Sequence, residues 1–97
     1  MELGYQKQVP PAVLYHGTAT RFISSIREQG LLKKGRHHVH LSTVIDTAIS
    51  VGKRYGQPVL LHVDSAKMHD DGHIFFVSDN GVWLTDSVPP QYISFPE

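Results

Sequence analysis

The stretch Val13-Leu14-Tyr15-His16-Gly17-Thr18 (VLYHGT) sets an apolar run directly against a histidine, a glycine and a threonine. Ala12 through Tyr15 read as a short buried strand ended by Gly17. A glycine straight after a strand lets a ligand approach the backbone closely. Its N–H and C=O could pair with a planar amide, and the His16 and Thr18 side chains could bond to sugar hydroxyls. The plainer reading is a strand-to-helix turn with a histidine packed at its edge.

A second polar stretch, Arg36-His37-His38-Val39-His40-Leu41-Ser42, bears on that choice. On a strand over 38–42, His38, His40 and Ser42 share one face and Val39 and Leu41 the other. A polar face inside an apolar domain lines a cleft. The competing readings are a zinc site, since histidines two apart on a strand can chelate, and a solvated cluster without a role. Zinc finds no obvious four-ligand set here. The chain has no cysteine, and Asp64, Asp70 and Asp71 sit in or near turns. Arg36, beside the strand, could hold a phosphate with its planar fork.

Outward from these stretches the chain reads as α+β. Residues 1–11 form a polar linker or edge segment ending in Pro10-Pro11. Phe22, Ile23 and Ile26 mark one helix face, with Thr18 or Thr20 as its cap and Gly30 as its end. "LLKKGR" reads as a basic turn. A second helix starts at Thr43, with Asp46 in a capping-box pattern, carries Ile45, Ala48, Ile49 and Gly52 on one face, and closes at Gly56. "PVLLHVD" is a buried strand and "SAKMHDDG" a turn or single helical turn. "HIFFVS", "GVWLT" and "QYISF" are three more strands, broken at Asp79-Asn80-Gly81 and at Pro89-Pro90. Tyr55, Phe75, Phe76 and Trp83 are read as core. Arg54 and Lys53, near a helix end, favour the helix dipole.

Composition narrows the class. Nine basic residues balance nine acidic ones, with seven histidines besides. That balance argues against a general nucleic-acid surface, though not a local one. No apolar run approaches the roughly 20 residues of a membrane helix, and the N-terminus does not read as a signal peptide. Glycine-rich phosphate loops and a nucleophile elbow are missing. A cytoplasmic monomer is expected.

Taken in order, "LYHGT", "GRHHVHLS", "VGKRYGQPVLL" and "NGVWLT" closely resemble the C-terminal lobe of the RNA 2'-phosphotransferase (KptA-type) family. The resemblance runs from about Pro10 to Tyr92. It implies an ADP-ribosyltransferase-like fold, with two small antiparallel-rich sheets around an NAD cleft and two main helices. It also implies the family's chemistry, in tRNA splicing or RNA repair. An internal RNA 2'-phosphate attacks the nicotinamide riboside carbon of NAD and expels nicotinamide. The ribose O2'' then attacks the phosphate, leaving 2'-OH RNA and ADP-ribose 1'',2''-cyclic phosphate.

By the same resemblance His16 bonds a ribose hydroxyl of NAD and Gly17 offers its backbone to the nicotinamide amide. Thr18, His40 and Ser42 complete the cofactor set. Val82 stands where many relatives carry a catalytic glutamate. An anionic phosphate nucleophile needs no carboxylate to deprotonate it, so an apolar residue suits this position. Arg36 is the catalytic cation on the phosphate in the second step, and Arg54 becomes an NAD contact. No metal is implied. Nothing in the sequence matches the family's N-terminal winged-helix-like lobe. The expectation is therefore a fragment, with 1–11 a linker and 12–97 the NAD-binding lobe. Such a lobe would bind NAD without full activity and would meet RNA mainly through the other lobe. The alternatives are a stand-alone NAD- or ADP-ribose-binding module, or an ADP-ribosyltransferase with another target, which Val82 disfavours.

Overall fold

The computed structural model describes residues 6–33 and 38–96. Nine strands and three helices follow in order among them. β1 is Gln6–Lys7 and β2 Leu14–Ala19, after which a 3-10 turn, Thr20–Phe22, feeds α1, Ile23–Gln29. β3 is Leu31–Leu32, β4 Val39–Leu41, α2 Ile45–Lys53 and β5 Pro58–Val63. α3, Ser65–Asp70, precedes β6, Phe75–Val77, and β7, Trp83–Thr85. β8, Ser87–Val88, and a 3-10 turn, Pro90–Tyr92, lead to β9, Ile93–Ser94.

The strands form a four-stranded sheet in the order β1-β6-β7-β4, a three-stranded sheet β2-β5-β9 and a β3-β8 pair. Every pairing is antiparallel. The molecule is therefore α+β, as the sequence implies. Leu14, Leu61, Val63, Met68, Phe75 and Val88 are wholly buried between the sheets and helices. Each such side chain contributes roughly 1.5–3 kcal/mol of transfer free energy.

Several local readings change. β2 does not end at Gly17 but continues to Ala19, paired residue by residue with β5 from Leu14↔Val63 to Ala19↔Pro58. The glycine serves the packing of α2. A Cβ at Gly17 would lie 1.5 Å from the Ala48 carbonyl oxygen, and one at Gly52 would lie 2.5 Å from the Thr18 oxygen. Helix and strand thus touch backbone to backbone. Neither Thr18 nor Thr20 caps α1, which is entered through the 3-10 turn without a side-chain cap. Gly30 does close it, at φ 76°, with its N–H donating to the Ile26 carbonyl at 2.7 Å. The basic turn contains a strand, since Leu31 and Leu32 pair with Val88 and Ser87. The capping box at Thr43 is replaced by Ser42, whose hydroxyl accepts from Val44 N–H at 2.9 Å and donates to Val44 C=O at 3.1 Å.

Among the described residues the two larger sheets meet at a single bridge, Tyr15↔Ser42, between β2 and β4. That junction positions the site.

Candidate functional site

Alternation along β4 buries Val39 and Leu41 and leaves His40 on the open face, with His38 and Ser42 half-buried. At the bridge, Tyr15 N–H donates to Ser42 C=O and Ser42 N–H to Tyr15 C=O, both at 2.8 Å. An extended backbone repeats every two residues. Gly17 therefore turns its N–H and C=O to the same edge as Tyr15. Past the bridge, β2 and β4 show no further pairing among the described residues, so that edge opens into a gap between the sheets. Gly17 acts in two directions. Its missing side chain admits α2, and its peptide groups face the gap.

Next to it, His16 Nδ1 lies 3.0 Å from the His40 carbonyl oxygen. A carbonyl only accepts, so Nδ1 carries the proton and Nε2 keeps its lone pair. Burial pushes the His16 pKa below its ordinary 6.5, against the opposing pull of this hydrogen bond. The ring is thus a neutral acceptor near neutral pH, suited to a hydroxyl donor rather than to an anion.

β4 pairs with β7 as Val39↔Thr85, His40↔Leu84 and Leu41↔Trp83. One step further along the same register sets Val82 opposite Ser42. The loop before Val82 is held by Ser78, whose N–H donates to Val82 C=O at 2.9 Å and whose hydroxyl accepts from Val82 N–H at 3.2 Å. Three chain segments far apart in sequence thereby reach one place.

The gap belongs to a cleft of about 1370 Å³. His16, Gly17, Thr18, His40, Ser42, Arg54 and Val82 all line it. Arg36, expected beside β4, lies outside the described residues. Arg54 caps the C-terminal end of α2 at the cleft wall, which lets it serve helix end and cleft together. Among the described residues no group of three or more His, Asp or Glu side chains could hold a metal ion.

The structure adds residues that the sequence reading left elsewhere. Tyr55, expected in the core, is 39% exposed and lines the cleft, while Phe75 is the aromatic that is wholly buried. Asp79 puts a carboxylate on the exposed loop beside Val82. Lys33, also on the cleft wall, is bonded to Asp86 at 2.7 Å, which holds the Asp86 carboxyl below its usual range. The neighbours of Tyr55 in the chain, Lys53, Arg54, Gly56 and Gln57, do not fix its burial, which depends on where α2 stops.

Fold and site together define a small α+β domain whose two antiparallel sheets part around a cleft, mostly apolar but with His16, Thr18, His40, Ser42 and Arg54 on its wall, large enough for a nucleotide. The chain belongs to the RNA 2'-phosphotransferase, Tpt1 / KptA family, whose model matches residues 2–87. It is 61% identical over 89 residues to a probable RNA 2'-phosphotransferase of Burkholderia lata, covering 92% of this chain and 46% of the relative. Proteins of the same description from Pseudomonas aeruginosa and Rhodopirellula baltica are 58% and 54% identical over 91 and 96 residues. Those matches cover 94% and 99% of this chain, and 50% and 52% of the relatives. The chain thus spans about half the length of the curated relatives it matches. No helix among the described residues is long and apolar enough to cross a membrane.

Proposed function

We propose that this chain is the NAD-binding half of an RNA 2'-phosphotransferase with an ADP-ribosyltransferase-like arrangement of its two sheets. The observation that carries the reading is the pairing, at one gap between the sheets, of Gly17's peptide groups with the Nε2 acceptor of His16. A carboxamide offers one donor and one acceptor in a plane, and an extended peptide edge offers the complement. The nicotinamide amide fits Gly17 in that way, and a ribose hydroxyl fits His16.

The remaining residues take roles that follow from their chemistry. Thr18 and His40 flank the ribose from the two sheets. Ser42 holds the turn into α2 and so keeps β4 in register with β2. Arg54 is a cation at the wall for a phosphate of the dinucleotide. Val82 keeps the side of the cleft opposite Ser42 apolar. The attacking group is a phosphate that is already anionic, so no base is needed there. Arg36 stabilises charge on that phosphate as the ribose O2'' displaces the RNA 2'-oxygen. The RNA itself is bound mainly by the half of the relatives that this chain does not span.

The experiment joins this chain to the remaining half of the Burkholderia lata relative and supplies RNA bearing an internal 2'-phosphate. The expected result is NAD-dependent phosphate loss with release of nicotinamide. His16→Ala should lower it by weakening NAD use. Phosphate loss without NAD, or full activity of His16→Ala, would overturn the assignment.

A further inference from the structure

The loop that closes β6 onto β7 carries a reactive pair. Asn80 is the sole asparagine of the chain, and Gly81 follows it. Both are exposed on the cleft wall. Asparagine and glycine suit a turn of this kind, and Gly81 holds φ 80° with nothing within 4 Å of an added Cβ. The same features suit an internal reaction. The asparagine amide carbon is an electrophile beside the next backbone nitrogen, and glycine puts no side chain in the way. Gly81 N–H donates to the Ser78 carbonyl at 2.9 Å, a single exposed turn bond of the sort that opens without global unfolding. Among the described residues none bonds the Asn80 side chain.

The chain holds a contrasting pair, Asp71-Gly72, also exposed, with Gly72 at φ 102°. There the side chain is held. Its carboxylate accepts from the Tyr92 hydroxyl at 2.6 Å and lies 3.8 Å from Lys67 Nζ. A carboxylate also sheds an oxygen less readily than an amide sheds ammonia.

We propose that Asn80-Gly81 is a self-modification site that ages the cleft. The Gly81 nitrogen gives its proton to solvent and attacks Asn80 Cγ. An N–Cγ bond forms, the Cγ–Nδ2 bond breaks, and ammonia leaves with a solvent proton, giving a cyclic imide. Water then adds to one ring carbonyl and breaks its bond to nitrogen. Opening at Cγ yields an aspartate at position 80, and opening at the main-chain carbonyl yields an isoaspartate with Cβ in the main chain. Either product adds a carboxylate beside Asp79 on the cleft wall. The isoaspartate also lengthens a loop whose ends are tied, with Ser78 N–H on Val82 C=O at 2.9 Å and Val82 N–H on Ser78 Oγ at 3.2 Å. The modification stands on the loop alone. Its effect on turnover rests on the reading that an anionic phosphate enters this cleft, which the added charge repels.

The test ages this chain and its Asn80→Gln variant in mildly alkaline buffer, followed by NMR and peptide mass spectrometry. In the parent the side-chain amide signals of Asn80 should disappear, with aspartate and isoaspartate appearing at that position and Asp71 unchanged. Asn80→Gln, whose ring would need one more atom, should stay as it began. In a protein carrying both halves, fresh Asn80→Asp should turn over 2'-phosphorylated RNA roughly fivefold more slowly than the fresh parent, as expected for one repulsive contact at close range in water. The aged parent should lose rate as Asn80 converts, and Asn80→Gln should keep its own starting rate. Asn80 signals that persist, or isoaspartate that gathers at Asp71 instead, would overturn the modification site. Conversion that leaves the rate of an active parent unchanged would overturn its effect on the cleft. A two-half protein that never uses NAD would refute the functional reading and that effect together, while the NMR arm still decides the modification.

Discussion

Gly17→Ala isolates the backbone contact on which the fold and the cleft both depend. The added methyl would lie 1.5 Å from the Ala48 carbonyl oxygen and 2.4 Å from its carbon. A carbon and an oxygen rest at roughly 3.3–3.6 Å even in a favourable weak contact. The helix must therefore withdraw by roughly 2 Å, since neither partner is the movable end of a side chain. Overpacking a core costs about 1–3 kcal/mol where side chains can adjust. Here the backbone itself must give, so the expected loss is about 3 kcal/mol or more. A domain of this size is stable by about 5–15 kcal/mol, and each kcal/mol lowers its Tm by roughly 4–8 °C. Gly17→Ala should thus melt at least about 12 °C below the parent, followed by circular dichroism. Gly72→Ala is the control. Its φ is 102° with nothing within 4 Å of the added methyl, so it bears backbone strain of about 1–3 kcal/mol without any clash against a helix. A Gly17→Ala variant melting within about 3 °C of the parent would refute the close helix–strand contact.

Three further outcomes follow from the site. Burial lowers the His16 pKa below 6.5, so the unfolded chain binds that proton before the folded one does. Its contribution to stability is complete above about pH 6.5 and is lost as pH falls through the folded pKa. Urea midpoints at about pH 7.5 and 5.5 should separate less in His16→Asn than in the parent. Arg36→Ala, placed in a protein carrying both halves, should slow the second step on the order of 100-fold and accumulate ADP-ribosylated RNA, read on gels, with NAD affinity much less changed. Near-normal turnover with no trapped RNA would remove its role. Dialysis against a chelator should leave the Tm unchanged, and a large drop restored by zinc would show a metal requirement.

What the sequence disclosed depended on the range of the interaction. β4 was legible because Val39, His40 and Leu41 alternate, and their neighbours on the chain suffice to assign their faces. The close of α1 at Gly30 was legible for the same local reason. β3 and β8 were not. Two residues carry no period, and Leu31 finds Val88 only through the tertiary fold. Ser42, not Thr43, serves the start of α2, because the strand bridge to Tyr15 fixes where the helix begins. Gly17 was singled out for its peptide groups, which do face the gap. Its contact with Ala48 could not be read locally, since nothing near Gly17 in the chain announces the helix that crosses it. Both polar stretches reach one cleft because β2 and β4 touch at one bridge and then diverge.

The central claim is that the gap between β2 and β4 receives NAD. Amide chemical shifts recorded while NAD is titrated into this chain test it most directly. The account predicts saturable movement of Gly17, with His16, Thr18, His40 and Val82, and little movement around α3 and β9. Shifts confined to other parts of the chain, or none at millimolar NAD, would contradict it.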